Sequence, residues 1–231
     1  MLLKVEELQV GYAKRVVVHR ASFHAETGEI VTIIGHNGAG KTTTLKGLFG
    51  HLKPAGGRVL YSGSDITGRS PMDNVRDGIT YTPQDRYTFP DLSVRENMEL
   101  GAYTAGSEVA SRIEQAYDVF PILKARAWQR ARTLSGGERR MLGLAMALIT
   151  RPRLMLLDEP SLGLSPVLVQ ALFTQLRSIR AEQHTTIIVV EQNVKQALGI
   201  ADRAYVMKMG RIILEEDGAS LLSRGQWWDL F

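Results

Sequence analysis

The stretch that decides the fold reads Gly35-His36-Asn37-Gly38-Ala39-Gly40-Lys41-Thr42-Thr43. It fits the pattern Gly-x-x-x-x-Gly-Lys-Ser/Thr, in which glycines let successive backbone N–H groups approach phosphate oxygens without an intervening Cβ. A short run of mostly β-branched residues precedes it and a helix is predicted after it, so a helix dipole favours an anion there. The stretch therefore predicts a phosphate cradle, with Lys41 reaching the β- and γ-phosphates and the Thr42 hydroxyl binding Mg²⁺.

A second apolar run, residues 154–157, ends in two carboxylates, Asp158 and Glu159. Ligands of open α/β sheets bind at the carboxyl ends of the strands, so both acids are expected beside the cradle. We predict that Asp158 holds Mg²⁺ and that Glu159 acts as general base toward the attacking water. Together with the lysine loop, this run indicates hydrolysis of a nucleoside triphosphate.

A second glycine loop, Leu134-Ser135-Gly136-Gly137-Glu138, opens a predicted helix that ends near residue 149. A plain helix cap explains serine and one glycine, but two glycines in a first turn lower helix stability. They are useful if the backbone amides of Ser135, Gly136 and Gly137 contact a phosphate. Since one cradle already lies at residues 35–43, we expect this loop to contact a nucleotide held by another subunit.

Composition excludes several other classes of protein. The chain has 231 residues, of which 44% are hydrophobic and 23% charged, with a net charge of +4 and scattered basic residues. This pattern favours a solvated surface over nucleic-acid binding. The absence of cysteine excludes disulfides and thiolate metal sites. The N-terminus lacks a secretory signal and no apolar run is long enough to span a bilayer, so we expect a cytoplasmic protein whose membrane role comes through a partner.

Taken together, the motifs resemble those of the nucleotide-binding subunit of ATP-binding cassette (ABC) transporters over essentially the whole chain. Residues 35–43 are similar to the family's Walker A motif, residues 134–138 to its LSGGE signature, and residues 154–159 to its Walker B motif with the catalytic glutamate. The resemblance implies that ATP and Mg²⁺ are bound, with the signature loop serving the ATP of a second cassette.

Three further segments carry the resemblance. Gln84 matches the family's Q-loop glutamine, which implies contact with Mg²⁺ or the attacking water. Residues 161–164, Ser-Leu-Gly-Leu, resemble the D-loop. Tyr12 falls where the family places an aromatic ring that stacks on adenine, although a simple turn aromatic is the alternative.

The resemblance also implies a fold. We expect an α/β P-loop NTPase of the ABC cassette type with a RecA-like parallel-sheet core. The single domain divides into an antiparallel β subdomain at about 1–34, an ATPase core at about 35–89 and 151–231, and an inserted helical subdomain at about 90–150. Strands are predicted at 2–10, 16–23, 30–34, 58–61, 79–82, 154–157 and 185–190, a terminal hairpin around Gly210, and helices opened by Ser93 and Ser165.

One residue departs from the family pattern. The family usually has a histidine after the strand that ends at Glu191, whereas this chain has Gln192. Glutamine donates an amide hydrogen bond but does not titrate near neutral pH. We hypothesise that Gln192, counted here as a catalytic residue with Glu159 and Lys41, senses the γ-phosphate independently of pH.

The same glutamine, with residues 89–97 and 160–164, resembles the ATPases of branched-chain amino acid importers and their amide or urea relatives. This implies a second cassette, identical or paralogous, two transmembrane permease subunits and an extracytoplasmic solute-binding protein, with the chain peripheral on the inner membrane face. Arg86, Tyr87 and Phe89 are candidates for the groove that receives a permease helix. The alternatives are a lipid or lipopolysaccharide exporter and a soluble cassette acting on nucleic acid. Trp227 and Trp228 suit either a packed terminal helix or a subunit contact.

Overall fold

The computed structural model describes residues 1–13, 15–85, 87–103 and 105–224. Within these residues the strands form two sheets and the helices pack around them. The strands are β1 (Leu3–Tyr12), β2 (Arg15–Ala25), β3 (Ile30–Ile34), β4 (Gly56–Tyr61), β5 (Ser64–Asp65), β6 (Ile79–Thr82), β7 (Leu154–Asp158), β8 (Thr186–Glu191), β9 (Arg203–Lys208) and β10 (Arg211–Asp217). The α-helices are α1 (Lys41–Phe49), α2 (Pro71–Arg76), α3 (Val94–Gly101), α4 (Val109–Val119), α5 (Pro121–Ala125), α6 (Gly136–Ile149), α7 (Pro166–Gln183), α8 (Val194–Leu198) and α9 (Gly218–Ser223).

The core is a six-stranded sheet in the order β10-β9-β3-β8-β7-β6. Its strands are parallel except β10, which pairs antiparallel with β9. Every residue of β3, β7 and β8 is buried, as expected for parallel strands covered on both faces. The register pairs Ile34 with Glu191 and Asp158 with Val190, so the carboxyl ends of three central strands meet at one edge.

The second sheet is antiparallel, in the order β2-β1-β4-β5. It corrects the predicted extent of the antiparallel subdomain in two ways. Strand β3, placed within residues 1–34, belongs to the core sheet because it pairs with β8 and β9. Conversely, β4 returns to β1 through pairs such as Val5 with Val59, a long-range pairing that local sequence does not reveal.

The helical region contains α3 to α6, which pack on one another through Met98, Ile113 and Leu142. The predicted capping box is confirmed, since Ser93 and Glu96 exchange side-chain and backbone hydrogen bonds at the start of α3. Ser165 is the N-cap residue of α7 and Pro166 opens the helix, as predicted, although the side chain of Ser165 makes no capping hydrogen bond. None of the described helices combines the length and the apolarity needed to cross a bilayer.

Candidate active site

The loop between β3 and α1 forms the cradle at the carboxyl edge of the core sheet. Gly38 and Gly40 adopt positive φ angles of 81° and 108°, which glycine tolerates without strain. Gly35 is required for another reason: a Cβ there would lie 2.2 Å from the carbonyl oxygen of Met207 in β9. Within the cradle, the exposed residues are His36, Asn37 and Gly38, Thr42 is half-buried, and the buried residues are Gly35, Ala39, Gly40, Lys41 and Thr43.

Lys41 projects into this loop from the first position of α1. Its side chain is 4% exposed, and Nζ donates hydrogen bonds to the carbonyl oxygens of Gly35 at 2.7 Å and His36 at 3.2 Å. Burial lowers the pKa of Lys41, and the charge of Glu159 partly opposes this effect. A polyanionic ligand in the loop would favour the charged ammonium, so the cradle fits a phosphate chain.

Asp158 ends β7 beside the cradle and is 1% exposed. Its Oδ1 accepts a hydrogen bond from Thr42 Oγ1 at 2.8 Å and its Oδ2 accepts one from Tyr81 Oη at 2.9 Å. Burial raises the pKa of Asp158. Tyr81 was not anticipated from the sequence; the only signal was its place in the neighbouring strand β6, opposite Leu156 of β7.

The donor set around Asp158 suits Mg²⁺. A carboxylate and a hydroxyl are the hard oxygen ligands that Mg²⁺ prefers, and Mg²⁺ commonly completes its shell with phosphate oxygens and water. Among the described residues, no group of three or more His, Cys, Asp or Glu side chains could hold a metal by itself. A metal held by Thr42 and Asp158 would complete its shell with phosphate oxygens and water.

Three segments converge on the carboxylate of Glu159. Gln192 Nε2 donates to both carboxylate oxygens at 2.8 Å, and Gln84 Nε2 donates to Oε2 at 3.2 Å. Lys41 Nζ lies 3.9 Å from Oε1. Glu159 has a φ angle of 47°, which costs a non-glycine residue of the order of 1 kcal/mol or more. The structure thus brings the three predicted catalytic side chains together around one strained residue.

A second buried acid, Glu191, is the last residue of β8 and directly precedes Gln192. Glu191 is 2% exposed and its carboxylate accepts backbone N–H groups from Ser161, Gln192 and Asn193. Burial raises the pKa of Glu191. Sequence reasoning missed this residue, because an acid at the end of a strand carries no signal of which loops it will bridge.

Tyr12 lies at the end of β1 with its side chain 46% exposed. Lys46 Nζ of α1 lies 5.9 Å from the centroid of the ring. An exposed aromatic ring tied to the helix that begins at Lys41 offers a face for stacking by a planar group.

The signature loop, residues 134–138, lies at the start of α6. Ser135 and Glu138 form a capping box, so the hydrogen bonds of Ser135 stay within its own helix. Gly136 is open: no described heavy atom lies within 4 Å of a Cβ built there. Helix α6 packs mainly on α3, α4, α5 and β6, whereas α1 packs mainly on β7, β1, β6 and β2. The structure therefore does not bring Ser135, Gly136 and Gly137 to the cradle of the same chain.

A groove of about 360 Å³ lies between β6 and the helical region. Tyr87 and Phe89 line it together with Tyr103, Gly143 and Met146. Of the other residues singled out from the sequence, Arg86, Trp227 and Trp228 lie outside the described residues.

Comparisons with known proteins agree with this architecture. The family model for ABC transporters matches residues 18–162. The chain is 40% identical to the high-affinity branched-chain amino acid transport ATP-binding protein BraG of Pseudomonas aeruginosa, over 100% of this chain and 99% of that protein. It is 37% identical to the probable branched-chain amino acid transport ATP-binding protein LivF of Archaeoglobus fulgidus, over 96% and 94% of the two chains.

More distant relatives share the same core. The lipopolysaccharide export system ATP-binding protein LptB of Acidithiobacillus ferridurans is 34% identical, over 92% of this chain and 88% of its own. Among solved structures, the ADP conformation of an ATP-binding cassette from an ABC transporter superposes with a TM-score of 0.85 at 26% identity, covering 99% of this chain and 97% of that one. The resemblance and the fold class expected from the sequence are confirmed: the chain belongs to the ABC transporter family, as one of its nucleotide-binding, ATP-hydrolysing subunits.

Proposed function

We propose that the chain binds Mg-ATP in the cradle at residues 35–43 and hydrolyses it against a second cassette to power a membrane importer. One observation carries the catalytic assignment: Glu159 lies within hydrogen-bonding distance of Gln192 and Gln84 and 3.9 Å from Lys41, at the edge where the cradle opens. A carboxylate fixed by amide donors beside a buried ammonium is an arrangement suited to orienting one water.

In the proposed reaction, Glu159 accepts a proton from water as the water oxygen attacks the γ-phosphorus. The bond between that phosphorus and the β–γ bridging oxygen breaks, and ADP and phosphate leave. Lys41 stabilises charge on the phosphates, and Gln192 keeps the carboxylate oriented while sensing the γ-phosphate. Tyr12 stacks on the adenine, and backbone amides of the cradle bind the phosphate oxygens.

Thr42 and Asp158 would hold the magnesium ion, with Gln84 at its edge. The ion would neutralise charge on the β- and γ-phosphates. Because Asp158 is already fixed through both carboxylate oxygens, binding the metal requires little rearrangement of this side chain.

The second cassette supplies the missing donors. Ser135, Gly136 and Gly137 stand at the N-terminus of α6 with Gly136 open, so they would face the γ-phosphate held by a partner. Two such chains placed head to tail would enclose two ATP molecules. Binding would close the pair and hydrolysis would release it.

The test of the catalytic assignment is Glu159→Gln in the full-length chain. Mg-ATP should still bind and a dimer should accumulate in gel filtration, while turnover falls by ~10²–10⁴-fold because the general base is lost. Glu182→Gln, an exposed position on α7, is the matched control and should keep wild-type turnover. Normal hydrolysis by the Glu159 variant would refute the assignment.

The transport role rests on the relatives. BraG and LivF are named as branched-chain amino acid transport proteins, and they align over almost the whole chain. We therefore propose import of branched-chain or related amino acids or amides, with the chain on the inner membrane face. A coupling helix of a permease subunit would occupy the groove lined by Tyr87 and Phe89.

Export of a lipid or lipopolysaccharide is the second candidate, because LptB shares 34% identity. Affinity purification of the full-length chain from membranes distinguishes the two. Recovery with two permeases and an extracytoplasmic amino-acid-binding protein supports import, and recovery with lipid-export components supports the second candidate. Recovery with nucleic acid in a strongly salt-dependent manner would instead support a soluble cassette.

A further inference from the structure

Glu191 is a buried acid with unusual partners. Its Oε1 accepts the backbone N–H of Ser161 at 2.8 Å, and its Oε2 accepts the N–H groups of Gln192 at 3.0 Å and Asn193 at 3.3 Å. Burying a carboxylate is costly unless hydrogen bonds compensate. These donors lie in two loops, and Ser161 and Glu191 are 30 residues apart in the chain, so the Glu191 side chain joins the two loops.

The two loops have different neighbours. One contains Gln192, whose amide holds both oxygens of Glu159. The other, residues 159–164, begins at Glu159 and reaches Leu164, whose Cδ2 would lie 3.6 Å from a Cβ built on Gly137. The loop 159–164 therefore lies beside the start of helix α6 at one end and carries the proposed general base at the other.

Strand β8 holds this loop at two points. The carbonyl oxygen of Val190 accepts the N–H of Glu159 at 2.9 Å, and the side chain of Glu191 accepts the N–H of Ser161 two residues later. The positive φ of Glu159 falls between these anchors. A strained residue persists only where its surroundings overdetermine it, and the Glu191 carboxylate is one of the groups that do so.

We propose that Glu191 is a positioning residue that fixes loop 159–164 against Gln192. It thereby couples the start of helix α6, where residues 135–137 lie, to the carboxylate of Glu159 in the same chain. The inference rests on the proposed function, because it assumes that Glu159 and Gln192 act in hydrolysis. It adds a physical link between residues 135–137, which would contact the nucleotide of a partner, and Glu159, which would act on the nucleotide bound by the same chain.

The experiment is a double-mutant cycle between Glu191→Gln and Gln192→Ala in the full-length chain. Glutamine has the same shape but presents an amide N–H₂ to one set of backbone donors, so one loop must be released. We expect kcat to fall by ~10–100-fold, as for other residues that support a catalytic group. The KM for ATP should change by less than about 3-fold, because the contacts that bind ATP equally in the ground state and the transition state are unchanged.

In the Gln192→Ala background, the same Glu191→Gln change should lower kcat by less than about 3-fold, since the residue through which it acts is gone. An equal fall in both backgrounds would show a merely structural role and overturn the proposal, as would wild-type kcat in the single variant. If Glu191→Gln fails to fold, Glu191→Asp keeps the charge but shortens the reach, and the same cycle applies to it.

Glu29→Gln is the matched control. Glu29 is also buried, at 8% exposure, and accepts a backbone N–H from Glu26, but it lies at the amino end of β3, one residue before the strand. Its loss should lower the Tm without changing kcat. Absence of hydrolysis by the wild-type chain with its membrane partners would refute the proposed function itself, whereas normal wild-type hydrolysis with an unaffected Glu191→Gln variant would refute only this inference.

Discussion

The guanidinium carbon of Arg140 lies 4.4 Å from the ring centroid of Tyr87. Arg140 Nη1 also donates to the carbonyl oxygen of Pro83 at 3.3 Å. Arg140 belongs to α6, which begins at the signature loop, whereas Pro83 and Tyr87 flank Gln84. The side chain of Arg140, which is 4% exposed, thus connects helix α6 to the segment that contains Gln84 and to the wall of the groove.

Arg140→Gln should weaken this connection. Loss of a desolvated cation–π contact costs ~2 kcal/mol. For a chain of this size that corresponds to a Tm decrease of about 4–8 °C, measured by thermal unfolding. Membrane partners should also stimulate hydrolysis less, because a helix docked against Tyr87 would no longer act on α6. Arg139→Gln, at the neighbouring position, is the control, and equal effects of the two changes would contradict the prediction.

Gln192→Ala removes the amide that holds both oxygens of Glu159. Turnover should fall by roughly 10–100-fold, since a misplaced catalytic group loses rate on this scale. Steady-state hydrolysis at saturating Mg-ATP measures the effect. Asn193→Ala is the matched control, because only its backbone N–H contacts Glu191. Turnover like that of the wild type in the Gln192 variant would remove this residue from the mechanism.

Tyr81→Phe removes the hydrogen bond to Asp158 Oδ2 while keeping the ring. The carboxylate then loses one of its two orienting donors, and the Mg²⁺ concentration needed for half-maximal hydrolysis should rise by about 10-fold. Tyr117→Phe gives the comparison, since the buried hydroxyl of Tyr117 has no hydrogen-bond partner among the residues that the structure describes. An unchanged Mg²⁺ requirement in the Tyr81 variant would show that Thr42 alone orients Asp158.

Asp158→Asn should stabilise the ligand-free chain while abolishing Mg²⁺-dependent hydrolysis. Burial raises the pKa of Asp158, so the folded state binds its proton more tightly than the unfolded state does. The contribution of this group to the free energy of unfolding therefore falls as pH rises from its unfolded pKa of about 3.9 through its folded pKa.

Asparagine carries no charge to bury, so the Tm of the ligand-free variant at pH 7 should rise above that of the wild type in thermal unfolding. The difference from the wild type should shrink as the pH falls below the unfolded pKa of about 3.9, where the aspartate becomes protonated in both states. A lower Tm for the variant at pH 7 would contradict the prediction.

The sequence was sufficient for features encoded by contiguous residues. The cradle at 35–43, the two acids at the end of β7 and the capping box at Ser93 each depend on neighbours within a few positions, and strand β3 has the predicted bounds. The sequence does not predict contacts between residues that are far apart along the chain. Tyr81 meets Asp158 across 77 residues of chain and Arg140 meets Pro83 across 57, and neither spacing carries a pattern.

The same reason explains the errors in the predicted subdomains. Strand β4 lies in the antiparallel sheet because its edge pairs with β1, more than 40 residues earlier, and local alternation does not choose between two sheets. The helices α2, α8 and α9 were missed because each has only five or six residues, too few to show a helical period.

The separation of the cradle from Gly136 within one chain has a genetic consequence. In the proposed pair, each reaction centre takes its lysine from one molecule and its glycine amides from the other. A copy with an inactivated Lys41 would still complete its companion's centre, whereas a copy with an altered Gly136 would spare its own and cripple its companion's. When the two defective alleles are expressed together, each mixed pair has one intact centre and one centre that carries both substitutions. Partial complementation between the alleles in living cells would therefore show that the centres are shared between molecules.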